Sequence, residues 1–316
     1  MSTALRQAER GQGLEPGRAT VDPAALMQIK NLTLRAKAVV EGFLSGLHRS
    51  PVHGFSVEFS EYRPYVQGDD LRRVDWKLLA RTDRYYVKQY EDETNRRCYL
   101  AIDQSRSMSY GSLSYSKADY ARTLAATFAF YLTQQRDAVG AITSGQGTAD
   151  YLPARHRPGH LQHLMRHLER QSNGTDSNLP NALAQLASRS QRRGLVIILT
   201  DALLEPASLG LPLGYLRGRG HEVVLIRVLD PSEVNFKLSS SALLRDMETG
   251  QQIYIDPSEA KASYDQRFAA HRDQLTDLCH RRGTKLETFS TDQPLEQALR
   301  ELVFRLSPGG PGGTRQ

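Results

Sequence analysis

Apolar and polar positions along the chain fall into blocks of two periods. Leu195-Val196-Ile197-Ile198-Leu199-Thr200, closed by Asp201, is an apolar run of core-strand length. Such a run ended by polar residues reads as a strand buried on both faces. Residues 98–102, 138–143, 222–228 and 285–289 read the same way. Helical stripes stand between them. Ala121, Leu124, Ala125, Phe128 and Leu132 mark a helix over 117–135, and Phe130 and Tyr131 make it apolar around much of its girth, as burial against a sheet requires. Further helices are read over 158–170, 179–189, 205–217, 258–282 and 294–306. This alternation predicts an α/β fold, a doubly wound, mostly parallel sheet with helices on both faces and 195–200 in its interior. Residues 147–152 read as an edge strand added by a hairpin. One interruption breaks the pattern: within 231–257, residues 243–246 and 251–255 flank Glu248-Thr249-Gly250 and predict a hairpin outside the sheet.

The first hundred residues follow other rules. Residues 1–23 are rich in Gly, Pro, Gln and charge and lack an apolar h-region, so a disordered tail is expected and a secretory signal is not. From Pro23, a stripe of Leu26, Ile29, Leu32, Leu34, Ala36, Val39, Val40, Phe43 and Leu47 has roughly helical spacing, with Lys30, Arg35 and Lys37 off it. A basic amphipathic helix can lie on a membrane; packing onto its own protein is the reading preferred here. Residues 54–66 alternate through Phe55, Val57 and Phe59. Residues 68–81 place charges of both signs around Trp76, the only tryptophan, and 84–93 alternate again. Trp76 is expected to be buried, with Asp69, Asp70 or Asp75 bonded to Arg72, Arg73 or Arg81. The resulting organisation is a tail over 1–23, a helix and β-rich segment over 24–95, a main domain over 96–307 with the 231–257 hairpin inserted, and a flexible Gly/Pro-rich tail over 308–316. The hairpin is expected beside the N-terminal strands, forming a small β-rich side domain.

Composition narrows the classes. At 316 residues the chain can bury one large core, or a large and a small one. No apolar run approaches the roughly 20 residues that span a bilayer, so a cytoplasmic protein is expected, brought to a membrane only by partners. Cys98 and Cys279 lie far apart and read as buried thiols. The formal charge is +6, with arginine knots at Arg96-Arg97, 189–193 and Arg281-Arg282. These favour acidic surfaces weakly. No aromatic platform is interleaved with them, so nucleic acid is not the expected partner.

The candidate chemistry lies at strand ends. Asp103-x-Ser105-x-Ser107 leaves the first strand of the main domain, where ligands of open α/β sheets gather. One carboxylate and two hydroxyls are hard oxygen donors of the kind Mg²⁺ takes. The same residues could instead form a turn that caps the next helix. Gly174-Thr175 and Thr200-Asp201 stand on the same rim. Asp201 is expected to project from that rim, so that its removal would leave the fold intact. His160, His163 and His167 share one face of a helix, with His156 just before it. Leu164 stands where H-E-x-x-H would place Glu, and Arg166 and Arg170 are close, so a solvated face is expected. The sequence holds no G-x-S-x-G elbow, P-loop or G-x-G-x-x-G, and no histidine near Ser105 and Ser107 to act as a base. A non-enzymatic binding protein is therefore expected. The alternatives are a metal-independent scaffold docking through 68–81 and a Mg²⁺-dependent hydrolase.

The order of the three rim groups, with a central helix after the first, resembles the von Willebrand factor A (vWA) domain and its metal-ion-dependent adhesion site (MIDAS). That resemblance implies that Ser105, Ser107 and Thr175 contact a divalent cation directly or through water, and that Asp103 and Asp201 hold it largely through waters. The cation, Mg²⁺ or else Mn²⁺ or Ca²⁺, would then attract a carboxylate from a partner. Further upstream, Phe55-Ser56-Val57-Glu58-Phe59, Arg63-Pro64-Tyr65, Gly68-Asp69-Asp70-Leu71-Arg72, Val74-Asp75-Trp76 and Ala80-Arg81 resemble the signature of the DUF58 family, over about 32–306. That bacterial group has a vWA-like domain and is commonly encoded beside MoxR-type AAA+ ATPases, which implies such an ATPase as the partner. Many members carry N-terminal transmembrane helices, and this sequence shows no such run.

Overall fold

The computed structural model describes residues 21–48, 62–64, 79, 84–88, 96–144, 149–170, 178–236, 242–245, 252–255 and 257–306. In chain order its helices are α1 (Pro23–Met27), α2 (Leu32–His48), α3 (Lys117–Gln134), α4 (His160–Glu169), α5 (Leu179–Arg189), α6 (Gly210–Gly218), α7 (Pro231–Asn235), α8 (Pro257–Arg281) and α9 (Leu295–Leu306). The strands are β1 (Tyr62–Pro64), β2 (Tyr86–Lys88), β3 (Arg97–Ile102), β4 (Ala138–Thr143), β5 (Asp150–Arg155), β6 (Leu195–Thr200), β7 (Glu222–Leu229), β8 (Ala242–Arg245), β9 (Gln252–Ile255) and β10 (Lys285–Ser290).

Six strands form the main sheet in the order β10-β7-β6-β3-β4-β5. All neighbours are parallel except β5, which returns antiparallel to β4 at the edge. β6 lies between β3 and β7, in the interior as its apolar run requires. Strand side chains alternate between faces, and the two cores divide accordingly. Leu100, Ile102, Ile197, Leu199, Val224 and Ile226 face one core, while Tyr99, Ala101, Val196, Ile198, Val223 and Leu225 face the other. The first core is covered by α2, α3, α4 and α9, and the second by α5, α6 and the last turns of α8. The doubly wound, mostly parallel sheet expected from the sequence is the one observed.

α3 crosses the centre of the first core. Ala121, Leu124, Ala125 and Phe128 are buried, and Thr123 and Thr127 satisfy their hydroxyls by donating to Asp119 O and Thr123 O at 2.8 Å. α2 packs on this layer, with Phe43 and Tyr131 meeting edge to face at 5.8 Å. The apolar stripe of α1 and α2 therefore serves the protein's own core, except that Leu34 points out, 55% exposed. No helix among the described residues is long and apolar enough to cross a membrane. β8 and β9 pair antiparallel as a separate sheet outside the main one, and β1 and β2 form another. Trp76 and its charged neighbours lie outside the described residues. Cys98 and Cys279 are free and buried.

The histidine face departs from expectation. His163 alone is solvated, while His160 and His167 are buried. His160 Nε2 meets Val139 O at 2.7 Å, and His167 Nδ1 lies 3.3 Å from Asp150. Helical spacing puts the three on one face, but α4 sits over β4 and β5, so that face is divided between the core and the solvent. Burial lowers the pKa of both inner imidazoles.

At the opposite end of α3, buried Asp137 accepts a hydrogen bond from Arg96 N at 3.1 Å. Burial pushes its carboxyl up to about 6 from 3.8, against that bond and the nearby arginine charge. A raised carboxyl pKa stabilises the fold fully below the unfolded value of 3.8, and that stabilisation is lost as pH rises through about 6. The window corresponds to about 3 kcal/mol. Asp137→Asn keeps an acceptor for Arg96 N and cannot ionise. Thermal unfolding between pH 4 and 8 should show the variant gaining on the wild type as pH rises, by up to about 3 kcal/mol at neutral pH. Parallel profiles would show that Asp137 does not titrate in this window.

Candidate functional site

The rim is built where β3 and β6 end side by side. Asp103 N continues the ladder by donating to Leu199 O at 2.9 Å, and Ser144 N donates to Ile102 O. The Asp103 side chain is 2% exposed. Its Oδ1 accepts from Ser105 N at 2.9 Å and from Ser144 Oγ at 3.3 Å, and its Oδ2 accepts from Thr200 Oγ1 at 2.7 Å. The chain then turns through a short 3₁₀ segment, Ser107–Ser109, whose Met108 is buried in the core and anchors the loop. This brings Ser105 Oγ and Ser107 Oγ to 3.0 Å from each other. A hollow of about 220 Å³ opens beside them, lined in part by Asp103, Gln104, Ser105, Ser116, Asp119 and Arg122.

Asp201 belongs to a different network. Its carboxylate is buried, 1% exposed, and does not project from the rim as the sequence reading expected. Its Oδ2 accepts from Lys117 Nζ at 2.8 Å. Lys117 is fully buried in the first turn of α3, and its ammonium also reaches Glu233 Oε1 at 2.5 Å. Burial alone would lower the Lys117 pKa; the two carboxylates outweigh it and hold the ammonium above its ordinary value. Beneath them Arg227, buried in the apolar run of β7, donates from Nε to Asp201 O at 3.1 Å and lies 5.0 Å over the Phe268 ring. Burial lowers its pKa despite Asp201 and Glu233.

Asp230 ties the same corner to the loop after Ser107. It accepts from Ser112 N at 2.8 Å, Ser112 Oγ at 2.6 Å, Ser232 N at 2.9 Å and Ser232 Oγ at 2.6 Å. Burial works against the Asp230 anion, and these four bonds overcome it, keeping its carboxyl below the usual range. Tyr264 OH closes the corner by donating to Glu233 O at 2.7 Å.

Of the five residues singled out from sequence, Asp103, Ser105 and Ser107 come together, Asp201 stands on the adjoining strand, and Thr175 lies outside the described residues. The fit to a hard cation is divided. Asp103 accepts from a backbone N–H and two hydroxyls and stands beside the Ser105 and Ser107 hydroxyls, a set of hard oxygens suited to Mg²⁺. Asp201 already bonds a cation through Oδ2, the Lys117 ammonium, while its Oδ1 accepts only from Leu203 N at 3.3 Å among the bonds seen. No group of three or more His, Cys, Asp or Glu side chains poised for a metal occurs among the described residues. Sequence reasoning missed Lys117, Glu233, Asp230 and Arg227. Two of them left a signal: a lysine in the first turn of a helix opposes the macrodipole, and an arginine inside an apolar strand demands partners.

The chain matches the family described as "Protein of unknown function DUF58" over residues 61–274. It belongs to the DUF58 family. The uncharacterized protein Rv1480 of Mycobacterium tuberculosis is 30% identical over 277 residues, 86% of each chain, and Mb1516 of Mycobacterium bovis matches to the same extent. Among solved structures, an aerotolerance-related membrane protein from Bacteroides fragilis superposes with a TM-score of 0.45 at 16% identity, covering 65% of this chain and 97% of that one. The SpRpn10 VWA domain gives 0.41 at 12% identity, covering 70% and 99%. These likenesses are loose, and the fold of this DUF58 protein stands on its own strand order.

The Lys117 network makes a stability prediction. Lys117→Met leaves the buried Asp201 carboxylate without its ammonium, and breaking a buried pair this way costs about 3–5 kcal/mol. Combining it with Asp201→Asn should recover part of that loss. Denaturant unfolding of the full chain reads both. Single variants within about 0.5 kcal/mol of wild type would place Lys117 at an ordinary surface position.

Proposed function

We propose that this DUF58 protein is a protein-interaction adaptor that captures an acidic side chain of a partner at the carboxyl end of its sheet. The observation that supports this most is the 3.0 Å approach of the Ser105 and Ser107 hydroxyls beside the buried Asp103. A Mg²⁺, or else Mn²⁺ or Ca²⁺, bound there would supply a positive centre that a partner carboxylate completes. Ser105, Ser107 and Thr175 would supply hydroxyl oxygens, and Asp103, oriented by Ser105 N, Ser144 and Thr200, would supply the charge. Asp201 takes a supporting role in this reading. It holds Lys117 through Oδ2 and keeps the end of β6 in place, and its Oδ1 would hold a water of the cation.

The proposed partner is a MoxR-type AAA+ ATPase. The motor would supply ATP-driven work, and the adaptor would choose where it acts. An adaptor fits the rim better than a hydrolase does. His160 and His167 are buried against β4 and β5, and no histidine bonded to the Ser105 or Ser107 hydroxyl is found among the described residues. A metal-free version has its own support, because Lys117 already neutralises much of the rim charge.

Calorimetric titration with Mn²⁺ separates the two versions. Wild type should bind in the millimolar range or tighter, and Ser105→Ala/Ser107→Ala should lose binding at least tenfold with an unchanged melting temperature. ATPase capture should require the same metal and fail in EDTA. No binding by wild type ends the cation; capture that is equally tight in EDTA ends its bridging role.

A further inference from the structure

The arginine knots at Arg96-Arg97, 189–193 and Arg281-Arg282 are far apart in sequence, and the rim chemistry uses none of them. The fold gathers them. β3, β6, β7 and β10 run parallel, so their amino ends share one end of the sheet, opposite Asp103 and Asp201. The turn before β6 supplies Arg192 and Arg193, the turn before β7 supplies Arg219 after Arg217, and the turn before β10 follows Arg281. β5 is antiparallel, with Arg155 level with Val139, so its carboxyl end brings Arg155 and Arg157 to the same end.

The turns are tight and adjacent. A Cβ on Gly194 would stand 2.3 Å from Arg97 O, one on Gly220 would lie 3.7 Å from Arg193 Cβ, and one on Gly283 would lie 3.3 Å from Arg217 Nη2. Arg96, Arg155, Arg157, Arg193, Arg219 and Arg281 are exposed. Among the described residues opposing charge is sparse here: Asp137 is buried, Glu222 is paired with Lys285 at 2.7 Å, and Asp277 stands one turn up α8; Glu91, Asp92 and Glu93, which precede Arg96 in the sequence, lie outside the described residues. Among the described residues, Arg192, Arg193, Arg219 and Arg281 make no ion pair. Six strands at their usual spacing make this end about 24 Å across.

We propose that this end of the sheet docks on an anionic lipid surface. The turns at adjacent strand ends spread the guanidinium groups across the width of the sheet, an array that many lipid phosphates can meet at once. Among the described residues only turns, strand ends and helix ends stand here, and stacking aromatics are not interleaved with these arginines. Guanidinium forks suit phosphate oxygens better than ammonium groups do. The contact is made by the chain itself, in place of recruitment to a membrane only through partners. It turns the Asp103 rim away from the bilayer, open to a partner in the aqueous phase, and it does not depend on a cation at that rim.

Sedimentation of the full chain with vesicles tests this. Phosphatidylcholine vesicles containing phosphatidylglycerol should bind the protein at about 0.1 M salt and release it at about 0.5 M, as screening requires. Phosphatidylcholine alone should not bind it. Each arginine near an anionic surface contributes roughly fivefold, so Arg193→Glu/Arg219→Glu/Arg281→Glu, which also adds three negative charges, should weaken partitioning by more than about a hundredfold. The milder Arg193→Gln/Arg219→Gln should weaken it in the same direction with an unchanged melting temperature. Equal binding to phosphatidylcholine alone, wild-type binding by the Gln pair, or tighter binding to duplex DNA than to the anionic vesicles would each overturn the proposal.

Discussion

The buried ammonium of Lys117 is the constraint on which the rim depends. It sits at the start of α3, carries no solvent exposure, and holds Asp201 from β6 and Glu233 from α7 at once. Three segments that meet nowhere else in the sequence are thereby fixed to one corner. Charges taken out of water are tolerated only when paired and hydrogen-bonded, and removing one member leaves the rest uncompensated. Arg227 under the Asp201 carbonyl and Asp230 over the 110–116 loop extend the same corner, so the loop that carries Ser107 is held from both sides.

The acidic residues of the rim sit in two different networks. Asp103 accepts from a backbone N–H and two hydroxyls, which orient it. Asp201 faces a full positive charge. The set read from sequence, with Asp103 and Asp201 both holding one cation through waters, is split: hydroxyls gather beside Asp103, and Asp201 is bonded to Lys117. In the proposed reading an incoming cation is drawn to Asp103, Ser105 and Ser107.

The fold was legible because its signal is local. Apolar strands of period two and a central helix apolar around most of its girth fix layers and order with little ambiguity. The hairpin showed itself the same way, as a break in alternation flanking Glu248-Thr249-Gly250. The site was legible only in part. Asp103, Ser105 and Ser107 lie within five residues and travel together, whereas Lys117 meets partners 84 and 116 residues away. No periodicity encodes such a meeting, although a lysine in the first turn of a helix and an arginine inside β7 were local conflicts that pointed to buried partners. Three arginine knots looked scattered for the same reason: parallel strands bring successive amino ends together, and that convergence exists only once the sheet order is known.

The central proposal is that a cation binds beside Asp103, Ser105 and Ser107 while Asp201 stays bonded to Lys117. Anomalous diffraction from crystals of the full chain grown with Mn²⁺ tests it most directly. The account predicts a single anomalous peak beside Asp103, Ser105 and Ser107, with Lys117 Nζ still bonded to Asp201 and Glu233. A peak between Asp201 and Glu233 with the lysine displaced, or no peak on this rim, would contradict it.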